Sequence, residues 1–184
     1  MISSLTASGS ETALRALAGL GVDVDVSLLA LPNEVRGVVS GQARLAELSP
    51  QLRQPVVGFG LGAGNRMKAL GTEQVEALAR QIVEQTSATL VLIGTEADRV
   101  AAETLCASLP LGRTVDTTGL WELDELPVLL GTLDCFVGVD SGATYMADAL
   151  GVPVVDFMGP ADADDQRPVG RRALVILSNE PCAP

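Results

Sequence analysis

The run Val139-Asp140-Ser141-Gly142-Ala143-Thr144 carries the most chemistry in this chain. A strand that ends in Asp-Ser-Gly and passes straight into a helix leaves the first-turn N–H groups of Ser141 to Thr144 without intrahelical partners. Those donors and the positive helix end form an anion site that needs no net positive charge. A plain N-cap at Asp140 or Ser141, worth about 1 kcal/mol, explains the same residues and is compatible with that site. A second loop, Gly60-Leu61-Gly62-Ala63-Gly64-Asn65-Arg66-Met67-Lys68, brings bare backbone at Gly62 and Gly64 beside the cations Arg66 and Lys68. It can approach a phosphate, or be an ordinary glycine turn with two solvated cations. Gly58, Gly60 and Ala63 fit the GxGxxA dinucleotide fingerprint only by force. Gly64 and Gly71 interrupt the helix that should open there, and the first acid after the next strand, Glu96, lies far beyond the spacing of about 20 that the fingerprint needs. Two further loops, Gly94-Thr95-Glu96 and Gly159-Pro160-Ala161-Asp162, end other strand candidates. The Asp162-Ala163-Asp164-Asp165 run has the look of a DxD metal site, but a solvated acidic loop is the simpler account. Trp121 and Tyr145, the one Trp and the one Tyr, read first as packing residues.

Composition narrows the chemistry. The 184 residues contain no histidine, which removes Ser-His-Asp triads, Cys-His pairs, His-ligated zinc and imidazole bases together. A net charge of −11 argues against nucleic-acid or membrane-surface partners, while a small anion remains open where cations and N–H groups gather locally. Hydrophobic residues make up 47% and aromatics 3%, so the core must be aliphatic. Cys106, Cys135 and Cys182 have no CxxC spacing; the first two are expected to be buried small residues. The start carries no signal-peptide pattern and no run is long enough to span a bilayer, so the expectation is a cytoplasmic chain with no integral membrane segment.

Those loops need elements to hold them. A short helix from Ser10 and an extended Val22–Val26 stretch, then a weak helix from Asn33 to Leu48 interrupted by Gly37 and Gly41, make residues 1–53 a linker-like helical and extended segment. From residue 54 onward, strands are expected at Val56–Gly60, Thr89–Ile93, Thr114–Thr117, Phe136–Val139, Val154–Met158 and Leu174–Leu177. Helices fall between them, including one from about Leu123 to Thr132 with Pro127 confined to its first turn. Alternation of this kind predicts an α/β fold with a doubly wound, mostly parallel, Rossmann-like sheet over residues 54–184. Ligands of such sheets bind at the carboxyl ends of the strands, where all four loops lie.

Taken together, these pieces resemble glycosyltransferase family 9, of the ADP-heptose:lipopolysaccharide heptosyltransferase type. The likeness runs from about Glu11 and rests on Gly62-Ala63-Gly64 leading to Lys68, Leu92-Ile93-Gly94-Thr95-Glu96, Thr118-Gly119 with Leu123-Asp124-Glu125-Leu126, Val139-Asp140-Ser141-Gly142, Ala147-Asp148-Ala149-Leu150-Gly151-Val152-Pro153 and Phe157-Met158-Gly159-Pro160. The resemblance implies the carboxy-terminal, nucleotide-sugar-binding half of a GT-B enzyme that performs inverting, metal-independent transfer without a cofactor. Lys68, helped by Arg66, would neutralise the donor diphosphate over the Gly62–Gly64 loop. Glu96 would accept from the ribose hydroxyls, and Trp121 would line the base pocket. Asp140, Ser141, Gly142 and Ala143 would cradle the phosphates beside Tyr145, which stands where the family usually has a histidine. A phenol cannot become cationic near neutral pH, so phosphate stabilisation there is weakened or reassigned. The resemblance places the catalytic base on an amino-terminal acceptor domain not found in this chain. A second domain or chain is therefore the expected partner, and the chain alone is expected to bind donor without turnover. A complete enzyme of this kind would be cytoplasmic and peripheral at the inner membrane. Two other readings stay open from the residues: an NAD(P)-type Rossmann oxidoreductase domain, and a non-catalytic interaction module.

Overall fold

A computed structural model describes residues 38–50 and 52–178; the expected helix from Ser10 and the Val22–Val26 stretch lie outside them. The chain runs α1 (Val38–Leu48), β1 (Val56–Gly60), α2 (Thr72–Gln85), β2 (Thr89–Ile93), α3 (Arg99–Ser108), β3 (Thr114–Asp116), α4 (Leu126–Leu130), β4 (Cys135–Val139), α5 (Gly142–Ala149), β5 (Val154–Met158) and β6 (Ala173–Leu177). Single 3-10 turns sit at Arg66–Lys68 and Glu96–Asp98. All six strands are parallel, in the order β3-β2-β1-β4-β5-β6. The order reverses between β1 and β4, so the loops leaving those two strands diverge and open a crevice. Both chemistry-bearing loops follow these strands.

Fully buried strands need apolar residues on both faces. On one face Val56, Ile93, Phe136 and Val154 pack with Leu129 and Leu130 of α4 and Ala147 of α5. On the other, Phe59, Leu90 and Leu92 pack with Ala79 and Val83 of α2 and Ala102 and Leu105 of α3. The first layer also takes in Leu45 of α1, 1% exposed, a burial worth about 1.5–3 kcal/mol. Gly41 does not interrupt α1. It is the contact point where the helix meets α4, since a Cβ there would lie 2.5 Å from both the Val128 carbonyl oxygen and Thr132 Cγ2.

The glycines of the apparent dinucleotide fingerprint have a packing role. The Phe136 ring lies across Gly58 and Gly60 of β1 and Gly138 of its own strand, where a Cβ would come within 2.7 to 3.0 Å of it. Three differences from expectation follow from local chemistry. The helix expected over Leu123–Thr132 spans only Leu126–Leu130, because Pro127 is held to its start and Glu122–Glu125 form a turn before it. β3 is one residue shorter than read, with Thr117 instead bonding Leu92 through its N–H and hydroxyl. Cys106 and Cys135 are half-buried rather than enclosed, and burial pushes both thiols up.

Candidate functional site

α5 opens directly from β4. Ser141, in extended conformation, is its N-cap, and its Oγ accepts from the Thr144 N–H at a long 3.4 Å while lying 3.1 Å from the Thr144 hydroxyl. Thr144 donates in turn to the Val139 carbonyl at 2.5 Å, tying the first helical turn to the strand end. The first turn is thereby fixed at the crevice, with Ser141 and Gly142 in the pocket wall and the Thr144 N–H taken up by the cap. Gly151, with φ of +73°, follows the end of the helix in the left-handed region that glycine enters without strain.

Lys68 arrives from the β1 loop. Asn65 accepts from the Met67 N–H and caps the 3-10 turn, which turns the chain so that the lysine crosses to β4. Its Nζ lies 2.6 Å from Asp140 Oδ2 and donates to Gln166 Oε1 at 3.1 Å. Tyr145, one turn into α5, donates its phenol to Asp140 Oδ1 at 3.0 Å. The Asp140 side chain is 4% exposed and the Lys68 side chain 23%. Burial and the hydrogen bond to Asp140 push the Tyr145 phenol well above its ordinary value, so it stays a donor throughout the physiological range. A pocket of about 440 Å³ opens over this group. Gly64, Lys68, Asp140, Ser141, Gly142 and Tyr145, all expected from sequence, line it, with Asn65, Asp165, Gln166 and Arg167 completing the wall.

The other expected residues sit elsewhere. Ala143 packs toward the core, and Arg66 is exposed at the start of the 3-10 turn. Glu96 is exposed at the end of β2, where Arg99 grips it bidentately at 2.7 and 2.6 Å and holds its carboxyl below the ordinary range. Trp121 packs against the first core layer with the Arg44 guanidinium 4.1 Å from its ring centroid. Gly62 and Gly94 leave room for Asp98, whose carboxylate oxygens would lie 2.9 Å from a Cβ at either.

Asp98, Gln166 and Asp156 join these residues without being marked by a recognised binding motif. Asp98 Oδ2 accepts from the Thr95 N–H and hydroxyl, both at 2.8 Å, and so braces the loop that follows β2. The Thr95-Glu96-Ala97-Asp98 capping-box pattern was its sequence signal. Gln166 is carried to Lys68 by a turn in which Asp162 accepts from the Asp164, Asp165 and Gln166 N–H groups. Asp156 is fully buried on β5, and a lone acid within Val154-Val155-Asp156-Phe157-Met158 was visible as an anomaly.

A crevice at the reversal point of an all-parallel sheet, with Lys68 and the start of α5 at its wall, defines a Rossmann-like α/β domain with a candidate anion site. The profile described as Glycosyltransferase family 9 (heptosyltransferase) matches residues 26–184, and the chain belongs to that family. It is 28% identical over 134 residues to lipopolysaccharide heptosyltransferase 2 of Escherichia coli strain K12, covering 71% of this chain and 38% of that protein. The structure of E. coli ADP-heptose lipopolysaccharide heptosyltransferase II superposes with a TM-score of 0.65 at 25% identity, over 79% of this chain and 44% of that one. The family 9 glycosyltransferase of Veillonella parvula DSM 2008 shares the fold, with a TM-score of 0.74 at 18% identity over 95% of this chain and 51% of its own. This chain thus spans about two fifths of the length of the curated relative it matches.

Proposed function

We propose that this chain is the donor-binding half of a heptosyltransferase-like enzyme and binds a nucleoside-diphosphate sugar of the ADP-heptose kind. The observation that carries this reading is Lys68 Nζ, held 2.6 Å from Asp140 Oδ2 at the opening of α5 and inside the pocket. A diphosphate placed there meets one ammonium, the first-turn N–H groups of α5 and the Tyr145 phenol. These are the groups that stabilise a diphosphate leaving group as its negative charge grows. None of them is poised to take a proton from an acceptor hydroxyl. The base of an inverting, metal-independent transfer is therefore assigned to an acceptor-binding domain or chain, and the part described here binds donor without turning it over. Glu96, at the end of β2, is ionised and accepts hydrogen bonds only, which suits ribose hydroxyls at that edge. Trp121 beyond it is assigned to the base side. The complete enzyme would work in the cytoplasm on a lipopolysaccharide precursor at the inner-membrane face.

Calorimetric titration with ADP and UDP tests this reading. Lys68→Ala is expected to weaken nucleoside-diphosphate binding about tenfold, near 1.4 kcal/mol. A folded chain that binds neither nucleotide at millimolar concentration would refute the reading.

A further inference from the structure

Asp156 sits in the middle of β5, opposite Gly138 of β4 and Val175 of β6. It is 0% exposed, and neither carboxyl oxygen has a hydrogen-bond partner. Such a position in a parallel strand ordinarily takes an apolar side chain, because a buried carboxylate without partners is costly to ionise. The charged and titratable groups that act on it electrostatically are Asp140 from the end of β4, Lys68 from the β1 loop and Tyr145 from α5. Its ladder neighbours, Gly138 and Val175, carry no charge. Lys68 and Tyr145 each engage one oxygen of Asp140, so Asp156 is the acid left over. Burial first and the Asp140 charge second raise its carboxyl to about 7, with Lys68 pulling it down.

We infer that Asp156 is a positioning residue of this site, one that takes up a proton when an anion draws Lys68 away from Asp140. The inference rests on the diphosphate reading given above. One ammonium cannot hold Asp140 and a phosphate equally well. As a phosphate engages Lys68, Asp140 loses its countercharge while new negative charge arrives beside it. A proton released by hydronium or a buffer acid, whose bond to it breaks as the O–H bond forms on Asp156, relieves the repulsion, and no other bond changes. Asp140 stays ionised, keeps accepting from Tyr145 and keeps that phenol in place. Linkage then requires the reverse effect: binding tightens as pH falls through the neutral range.

The test follows the Asp156 carboxyl carbon by NMR through a pH titration of the free and ADP-saturated protein. Calorimetric ADP titrations of wild type and Asp156→Asn, in buffers of different ionisation heat, accompany it. The expected midpoint lies near neutrality in the free protein and rises with ADP by about half a unit or more, about threefold in proton affinity. Near pH 7.5, wild type should take up a larger fraction of a proton than Asp156→Asn, and the variant should bind ADP with a flatter pH profile. The titration of the ligand's own phosphate is common to both proteins and cancels. If Asp156→Asn does not fold, the wild-type NMR titration alone decides. ADP that binds while the Asp156 midpoint stays still, or with equal proton uptake in both proteins, overturns this inference and leaves the donor-site reading standing. ADP that does not bind at all overturns both.

Discussion

Lys68 is held by two acceptors of different kinds, a buried carboxylate and a neutral amide. The amide gives way easily, and the carboxylate fixes where the ammonium waits. Beneath them Asp156 makes stability depend on pH in a direction unusual for an acid. The folded chain keeps a proton on this carboxyl up to about pH 7, whereas an unfolded chain releases it near its ordinary value of about 3.9. Its contribution is thus complete below that ordinary value and is lost as pH rises from about 4 toward 7, at no more than about 1.4 kcal/mol per unit. Asp156→Asn should flatten the decline, as read by urea unfolding at pH 5 and pH 8. Lys68, Asp140 and Ser141 were legible as candidate site residues because a cation and a helix-capping pair in loops that follow strands already state their chemistry. The oddity of Asp156 was legible too, but its company was not: that depends on the Gly138↔Asp156 register and on which face of α5 turns inward.

At the scale of elements, strand positions could be read almost to the residue. β1 and β2 are short apolar runs bounded by Gly or Pro, β5 is one broken only by Asp156, and little else competes for them. α1 and α4 were harder because their outlines come from each other. A glycine within a helical pattern signals a weak point locally, yet Gly41 marks the closest approach of α1 to α4. Gly41→Ala sets two effects against one another. Helix propensity favours alanine by about 1 kcal/mol. The added methyl would lie 2.5 Å from the Val128 carbonyl oxygen, and backbone cannot swing aside as a flexible side chain would. Overpacking of this sort costs about 1–3 kcal/mol, so the variant should be less stable than wild type by chemical denaturation. The same interdependence hid the role of Gly58 and Gly60, which is fixed by a phenylalanine three strands later in the sequence.

Across the whole molecule, the two outer strands of the sheet among the described residues are unlike. β3 has three residues and ends in Asp116, features that discourage pairing with another chain. β6 has five residues without a charge, and Leu174, Ile176 and Leu177 are 58%, 40% and 52% exposed among the described residues. That edge is the expected route of self-association at high concentration, opposed by the net charge of −11. Ile176→Lys should lower the weight-average mass seen by light scattering, and added salt should raise it in wild type by screening the charge.

The chain contains one Trp and one Tyr, and the fold sets them in different surroundings. Trp121 lies under the Arg44 guanidinium carried by α1, whereas Tyr145 is bound to Asp140 within the pocket beside Lys68. Indole emission therefore registers whether α1 remains docked, and the phenol's ultraviolet absorption registers the state of Asp140. An unlabelled sample carries two independent optical channels, and a ligand held at Lys68 would perturb the tyrosine channel first.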